Sequence, residues 1–309
     1  MKKVLSVACA LCMTTAMLTG CGSSNNAGTA ATGEAQNSAA ASTTTEQAST
    51  ATDAGTTLIA LITMDSLDQH WVTLNEGAQK AAAELGVTVQ FMAPNTKDDA
   101  QQIECVNNAV SAGAQAIIVA ANGPDAISSA LREASDAGVK LIYVDSPANV
   151  SAEATFSTDN NAAGKTAGEE MKKALADAGV TSGSIGIINV NAATDSCVMR
   201  EEGFRSAFEG TDFELLETQY GEGDAAKSQS IAENYITQGV VGIFGCNEGS
   251  TTGAGNAIKA SGKDNVIGVG FDKSDAILGL IDDGYLLCTM AQNPDVMGLS
   301  LIHISEPTR

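Results

Sequence analysis

The sequence predicts an α/β fold built as two doubly wound parallel-sheet lobes. Two observations carry that expectation. From Leu58 onward, nine apolar runs of strand length recur with helical stretches between them. Most of these runs are apolar at successive positions rather than at alternate ones, which marks strands covered on both faces by helices. Nine strands are many for one sheet, and the weaker stretch Ser151–Asp159 (SAEATFSTD) separates the first four from the rest. One lobe is expected to start at Leu58 and the other near Asp159.

Taken in order, the first lobe reads as LIALIT (58–63), VTVQFMA (87–93), AIIVA (116–120) and KLIYVD (140–145). The second reads as SIGIINV (184–190), FELLETQ (213–219), VVGIF (240–244), VIGVGF (266–271) and LLCTMA (286–291). Intervening stretches such as WVTLNEGAQKAAAELG and AAGKTAGEEMKKALADAG have helical length and end in a glycine suited to a C-cap.

In open α/β sheets, ligands bind beyond the carboxyl ends of the strands. Just past the strands stand Asp65 and Asp68, Asn122, Asp145, Asn191, Asn247, Asp272 and Gln292. Two lobes facing each other with these edges enclose a cleft lined by acceptors and by amides that both donate and accept. Arg200, in CVMREEGF, is expected at the start of a second-lobe helix, where it adds a planar fork of donors. His70 and Trp71 open the first helix and offer flat rings. Such a set suits a neutral, hydroxyl-rich molecule. Taken singly, each Asp or Asn also fits an ordinary N-cap, and Trp71 also fits a core position. The collective pattern points to a cleft.

Composition narrows the function further. The 309 residues carry a net charge of −21 with a sequence pI near 4.2, a surface that repels phosphate backbones and excludes nucleic acid as a partner. The seven cysteines form no CxxC pair and no Cys/His cluster, so neither a metal nor another cofactor is expected. No Gly-x-Ser-x-Gly elbow and no histidine-based triad is present, which argues against an enzyme. The Gly164-Lys165-Thr166 triplet lacks the first glycine of a phosphate-binding loop, because Asp159 stands there.

The amino-terminal region reads as an address. Lys2 and Lys3 precede the apolar run Val4–Met17, too short to span a bilayer, and the run ends in LTGC, Leu18–Cys21. Residues 1–20 are expected to be a lipoprotein signal peptide, with Cys21 as the lipid attachment point. Residues 21–57, rich in Ser, Thr and Ala, bury almost nothing and are expected to form a disordered tether. The folded part is therefore expected on the outer face of the cytoplasmic membrane.

Together these residues resemble the type 1 periplasmic binding proteins, in particular the sugar-binding group, from about Leu58 to Gly298. HWVTLNEGAQKAA is similar to the family's aromatic pair and first helix, and KLIYVDSPA to the strand that ends in a binding aspartate. STDNNAAGKTAG is similar to the hinge crossing, REEGF to the segment with the sugar-contacting arginine, and GCNEGSTTGAGNAIKASG to a binding asparagine and its helix. VGFDKSD and AQNPDVMG resemble the segments with a second binding aspartate and a binding glutamine. Carried over by position, the implied ligand contacts are Asp68, His70, Trp71, Asp145, Arg200, Asn247, Asp272 and Gln292. The implied lobes are residues 58–157 with 293–298, and residues 158–292, joined by a hinge. The implied function is capture of a monosaccharide or similar polyol and its delivery, by a monomer, to an ABC transporter permease. A ligand-sensing receptor feeding a chemoreceptor or sensor kinase is the alternative on the same fold. Related transcription repressors carry a DNA-binding headpiece where this chain has a signal peptide and tether.

Some positions depart from the family's ribose binders. Their Asn, Phe and Phe before the first helix are Asp68, His70 and Trp71 here, the arginine after the binding aspartate is Ser146, and a later aromatic is replaced near Gly223. The scaffold is carried over; ribose as the ligand is not. The last eleven residues, LSLIHISEPTR (299–309), match in one frame the translation of a transposase adapter used in preparing sequencing libraries. They are expected to be an artefact that truncates the C-terminus and leaves the first lobe without a covering helix, and His303 is not counted as a ligand. The underlying codons are the test.

Overall fold

The computed structural model describes residues 56–305. The segments expected as signal peptide and tether, with Cys21, up to Gly55, and the final residues 306–309 lie outside the described residues.

The first lobe runs β1 (Leu58–Ile62), α1 (Gln69–Leu85), β2 (Thr88–Met92), α2 (Asp99–Ser111), β3 (Ala116–Val119), α3 (Ser128–Asp136), β4 (Lys140–Val144) and β5 (Ala154–Phe156). The chain then forms α4 (Asn160–Asp177), β6 (Ser182–Asn189), α5 (Asp195–Ser206), β7 (Asp212–Leu215), β8 (Gln219–Tyr220) and α6 (Ala225–Gln238). The second lobe continues with β9 (Gly242–Gly245), α7 (Glu248–Ser261), β10 (Ile267–Phe271), α8 (Asp275–Asp282) and β11 (Cys288–Met290), and α9 (Pro294–Ser305) returns to the first lobe. The sheets are ordered β2-β1-β3-β4-β5 and β11-β10-β9-β6-β7, and their pairings are parallel.

Both faces of each sheet are covered, as the continuous apolar runs require. In β1, Ile59 and Leu61 face α1 and α9, while Ala60 and Ile62 face α2 and α3. In the second lobe, Ile185, Ile187 and Phe244 pack against α4 and α5, where Phe204 stacks on Phe244 at 4.2 Å. On the opposite face, Ile188 and Ile243 meet α6 and α7.

Two sequence expectations are revised. Two short strands join the expected nine: β5 lies in the stretch read as a separator, and the run 213–219 breaks into β7 and β8. The break has a cause: β6 pairs with β7 through Ser182–Ile185 and with β8 through Ile188–Asn189, while between them Glu217 and Leu216 give their carbonyls to Tyr235 and Arg205. The triplet Gly164-Lys165-Thr166 lies in the second turn of α4, in line with its rejection as a phosphate-binding loop. The first lobe does have a covering helix. Residues 299–305 complete α9, whose Leu301 and Ile302 are fully buried in the core under α1. Gly77 and Gly298 permit that crossing, because a Cβ on either would collide with the backbone carbonyl of the other helix, at Asp295 and Leu74. His303 is exposed near Glu84.

The chain passes between lobes at 157–159 and again at 291–293. These crossings place the carboxyl ends of the two sheets opposite each other.

Candidate functional site

Two aspartates occupy matching places at the facing strand ends. Asp145 follows β4 with φ 58° and Asp272 follows β10 with φ 71°, both in the left-handed region that side chains other than glycine rarely adopt. Each donates its backbone N–H to the strand beside it, Asp145 to Phe156 O at 2.8 Å and Asp272 to Met290 O at 3.0 Å. Each carbonyl in turn accepts a hydroxyl, from Ser157 at 2.6 Å and Thr289 at 2.7 Å. The surrounding bonds hold a backbone geometry that costs free energy, a pattern that clusters at binding sites.

Asp145 ties the lobes together. Its Oδ1 accepts from Arg200 Nη2 at 2.9 Å, and its Oδ2 accepts from Ser196 Oγ at 2.9 Å. Arg200 also donates from Nε to Asn160 Oδ1 at 2.8 Å and from Nη1 to Cys246 O at 3.1 Å, with its guanidinium 3.9 Å above the Phe271 ring. It is 2 % exposed and stands in the middle of α5, not at its start. The helix begins earlier than expected, at Asp195 after its N-cap residue Thr194, whose hydroxyl goes to Asn122 O of the other lobe at 2.7 Å.

Asp272 organises the second wall. Its Oδ2 accepts from Glu248 N at 3.0 Å and its Oδ1 from Gln292 Nε2 at 2.5 Å, and His70 Nδ1 lies 3.7 Å from Oδ1. Gln292 Oε1 accepts from Thr158 Oγ1 at 2.6 Å, so one side chain links both crossing segments. Glu248 reaches across the cleft and accepts from His70 N, in the first turn of α1, at 3.2 Å. Burial, with the charges of Asp68 and Asp272, pushes the Glu248 carboxyl up to about 7.

Asn247 does two things. As the N-cap of α7, its Oδ1 accepts from Ser250 N at 3.1 Å and from Ser250 Oγ at 2.6 Å. Its Nδ2 is left without a partner, as are His70 Nε2 and Trp71 Nε1. Among the described residues, four buried side-chain polar atoms lack a hydrogen-bond partner, and these are three of them. The Trp71 ring meets His70 edge-on at 4.6 Å and joins the core beneath α1, so the core and cleft readings both hold.

All eight residues expected as contacts, Asp68, His70, Trp71, Asp145, Arg200, Asn247, Asp272 and Gln292, line one cavity between the lobes, shut down to about 20 Å³. Met64, Lys97, Val190, Ser196 and Cys197 complete the wall. Lys97 is the charged residue that sequence reasoning missed. It follows β2 and donates to Asp65 and to Asp68, the latter at 2.8 Å. Burial pushes the Asp68 carboxyl up despite that lysine, whereas at Asp65 the ammonium and two backbone N–H groups outweigh burial and hold the carboxyl below its ordinary value. Three strand-exit residues stay out of the cavity wall. Asp65 anchors its own loop, and Asn122 and Asn191 meet across the cleft at 3.4 Å. The Cys197 thiol is pushed up to about 11 by burial, so it is no nucleophile. No group of three or more metal-ligating side chains is found among the described residues, and no helix there is long and apolar enough to cross a membrane.

Comparison with known proteins places this geometry. The ribose import binding protein RbsB of Haemophilus influenzae is 29 % identical over 253 residues, covering 81 % of this chain and 84 % of that protein. The D-apiose import binding protein of Actinobacillus succinogenes is 28 % identical over 235 residues, covering 74 % of each. The solved structure of an ABC transporter solute-binding protein from Agrobacterium vitis with bound D-fucose has a TM-score of 0.76 and 28 % identity, covering 80 % of this chain and 88 % of that one. A family model described as a periplasmic binding protein domain matches residues 59–305, nearly all of the two-lobed fold and every residue of the cavity wall. The chain belongs to that family of solute-binding, non-enzymatic proteins.

Proposed function

We propose that the chain captures one monosaccharide, or a polyol of similar size, between its lobes and delivers it to an ABC importer. The observation that carries this reading is the set of unpartnered buried polar atoms, of which Trp71 Nε1 and Asn247 Nδ2 are donors. His70 Nε2, Trp71 Nε1 and Asn247 Nδ2 line the same cavity as the carboxylates of Asp68, Asp145 and Asp272. A buried donor without a partner costs about 1–3 kcal/mol, which a ligand oxygen relieves. Hydroxyl groups accept from the donors and donate to the carboxylates, so a neutral polyol satisfies both sets at once. The His70 and Trp71 rings supply flat apolar surface, and because the closed lobes leave only about 20 Å³ between them, a sugar enters only when they part. Relatives named for ribose and apiose import, and the neighbour with bound D-fucose, support the same ligand class.

Closure follows from the same contacts. Asp145 and Arg200, and His70 and Glu248, belong to opposite lobes and meet only when the cleft is shut. A sugar that touches both walls binds the closed state more tightly than the open one, and that difference drives the equilibrium toward closure. The closed form is what the permease meets. LTGC supports anchoring through a lipid on Cys21, with the folded part acting as a monomer outside the cytoplasmic membrane. The test is a thermal-shift panel of neutral aldoses, ketoses and polyols on the purified protein: a Tm rise with one or a few members supports the reading, and no rise with any removes it.

A further inference from the structure

Lys97 stands on the first lobe after β2 with its side chain 6 % exposed. A buried ammonium is costly unless it is paired, and Asp65 and Asp68 both accept from Nζ. That uses two of three N–H donors. The two carboxylates differ in what else they do. Asp65 also accepts from Leu67 N at 2.7 Å and Asp68 N at 2.8 Å, so it fastens the loop. Asp68 is the N-cap residue of α1, yet its side chain makes no capping bond and instead turns to Lys97, and both line the cavity.

The second lobe is shaped around the lysine. Gly223 has φ +73°, and a Cβ placed on it would lie 2.7 Å from both Cδ and Nζ of Lys97. The Gly223 loop has no room to withdraw, because Gly249 in the first turn of α7 lies against the Gly223 carbonyl so tightly that a Cβ at 249 would collide with it. A side chain at position 223 would push the end of the Lys97 side chain from its place between the lobes.

We propose that Lys97 is a ligand-selecting residue, paired with Asp68 to read one hydroxyl of the bound sugar, and that Gly223 lacks a side chain so that the lysine stem fits when the lobes close. Lys97 donates to the hydroxyl oxygen and Asp68 accepts its proton. Either neighbour alone would tolerate other chemistry, but the pair does not: an amine at that carbon faces the ammonium, a carboxylate faces Asp68, and a missing hydroxyl leaves both unsatisfied. This inference rests on the sugar-binding reading above and deepens it.

The test is calorimetric titration of the full chain with the monosaccharide that the wild type binds best and with its complete set of monodeoxy analogues. In the wild type, one deoxy analogue is expected to lose about tenfold or more in affinity relative to the parent. In Lys97→Met that penalty is expected to shrink to about twofold, with the other analogues keeping their wild-type ratios. Asp65→Asn combined with Lys97→Met removes one of the two stranded carboxylates, leaves Asp68 in place, and repeats the measurement in a chain better able to fold. Gly223→Ala, which displaces the stem, is expected to give the same pattern. Unchanged ratios, or a uniform loss across the whole set, overturn the assignment, since a lysine that only braces its loop weakens every ligand alike. If the wild type binds no monosaccharide, the underlying reading fails; if it binds one with ratios insensitive to Lys97, this inference alone fails.

Discussion

The carboxylate of Asp145 and the guanidinium of Arg200 meet across the cleft at 2.9 Å, one from each lobe, both buried. Arg200 also holds Asn160 and the Cys246 carbonyl from its own lobe, so its fork is fixed before the lobes meet. Lysine keeps the charge but not the fork. Arg200→Lys is therefore expected to lower ligand affinity by about tenfold or more, read by calorimetry. Arg200→Met strands Asp145 in the closed cleft, at a cost of about 3–5 kcal/mol. That cost falls on closure rather than on the folding of either lobe, so small-angle scattering is expected to show an open form that ligand no longer closes.

Asn247 allows its two roles to be separated. Asn247→Asp retains an oxygen for the Ser250 N–H and removes the Nδ2 donor. Urea unfolding is expected to change by no more than about 0.5 kcal/mol, because Asp caps a helix as well as Asn. Affinity for the sugar is expected to fall by about tenfold or more as the buried donor disappears. Loss of stability with affinity intact would assign Asn247 to the cap alone.

Glu248 predicts a pH dependence of closure. Its carboxyl sits at about 7 in the closed form against an ordinary 4.5, raised by burial, by Asp68 of the opposite lobe and by Asp272 of its own. Opening the cleft separates it from Asp68 and returns it to water, so the closed form binds the proton more tightly. For an acid raised in this way, the favourable contribution is complete below about 4.5 and is lost as pH rises through about 7. Ligand affinity is expected to fall by up to about tenfold between pH 5 and pH 7.5, after discounting for partial solvent exposure, and Glu248→Gln is expected to flatten that slope. A slope of the opposite sign would contradict it.

The address is testable apart from the fold. Cys21→Ser removes the acceptor thiol of LTGC and is expected to shift the protein from the membrane fraction to the soluble extracytoplasmic fraction, with sugar affinity unchanged. Retention of the variant in membranes would exclude the lipid anchor.

Much of the cleft was legible because a parallel sheet forces its polar exits to one edge, and Asp145, Asn247, Asp272 and Gln292 sit at those exits. What stayed hidden depends on the partner lobe. Lys97 follows a run that ends in ProAsnThr, which reads as a plain turn, and its seat depends on Gly223, far away in sequence. The sequence does mark the start of α5, with Thr194 as a favoured N-cap residue and Asp195 in the first turn; what it does not carry is that the Thr194 hydroxyl goes to Asn122 of the other lobe. Asp65, Asn122 and Asn191 obey the exit rule as well as the rest do, yet they brace loops and the cleft rim rather than the cavity. The rule locates an edge; only the closed geometry says which exits line the cavity.

The central claim is that the cavity closes on one neutral, hydroxyl-rich molecule. Calorimetric titration of the wild-type protein with a panel of neutral monosaccharides and polyols, alongside matched uronic acids and amino sugars, tests it most directly. Saturable one-to-one binding of one or a few neutral members, with the charged analogues at least about tenfold weaker, is the expected result. Binding confined to the charged analogues, or no binding across the panel, would contradict it.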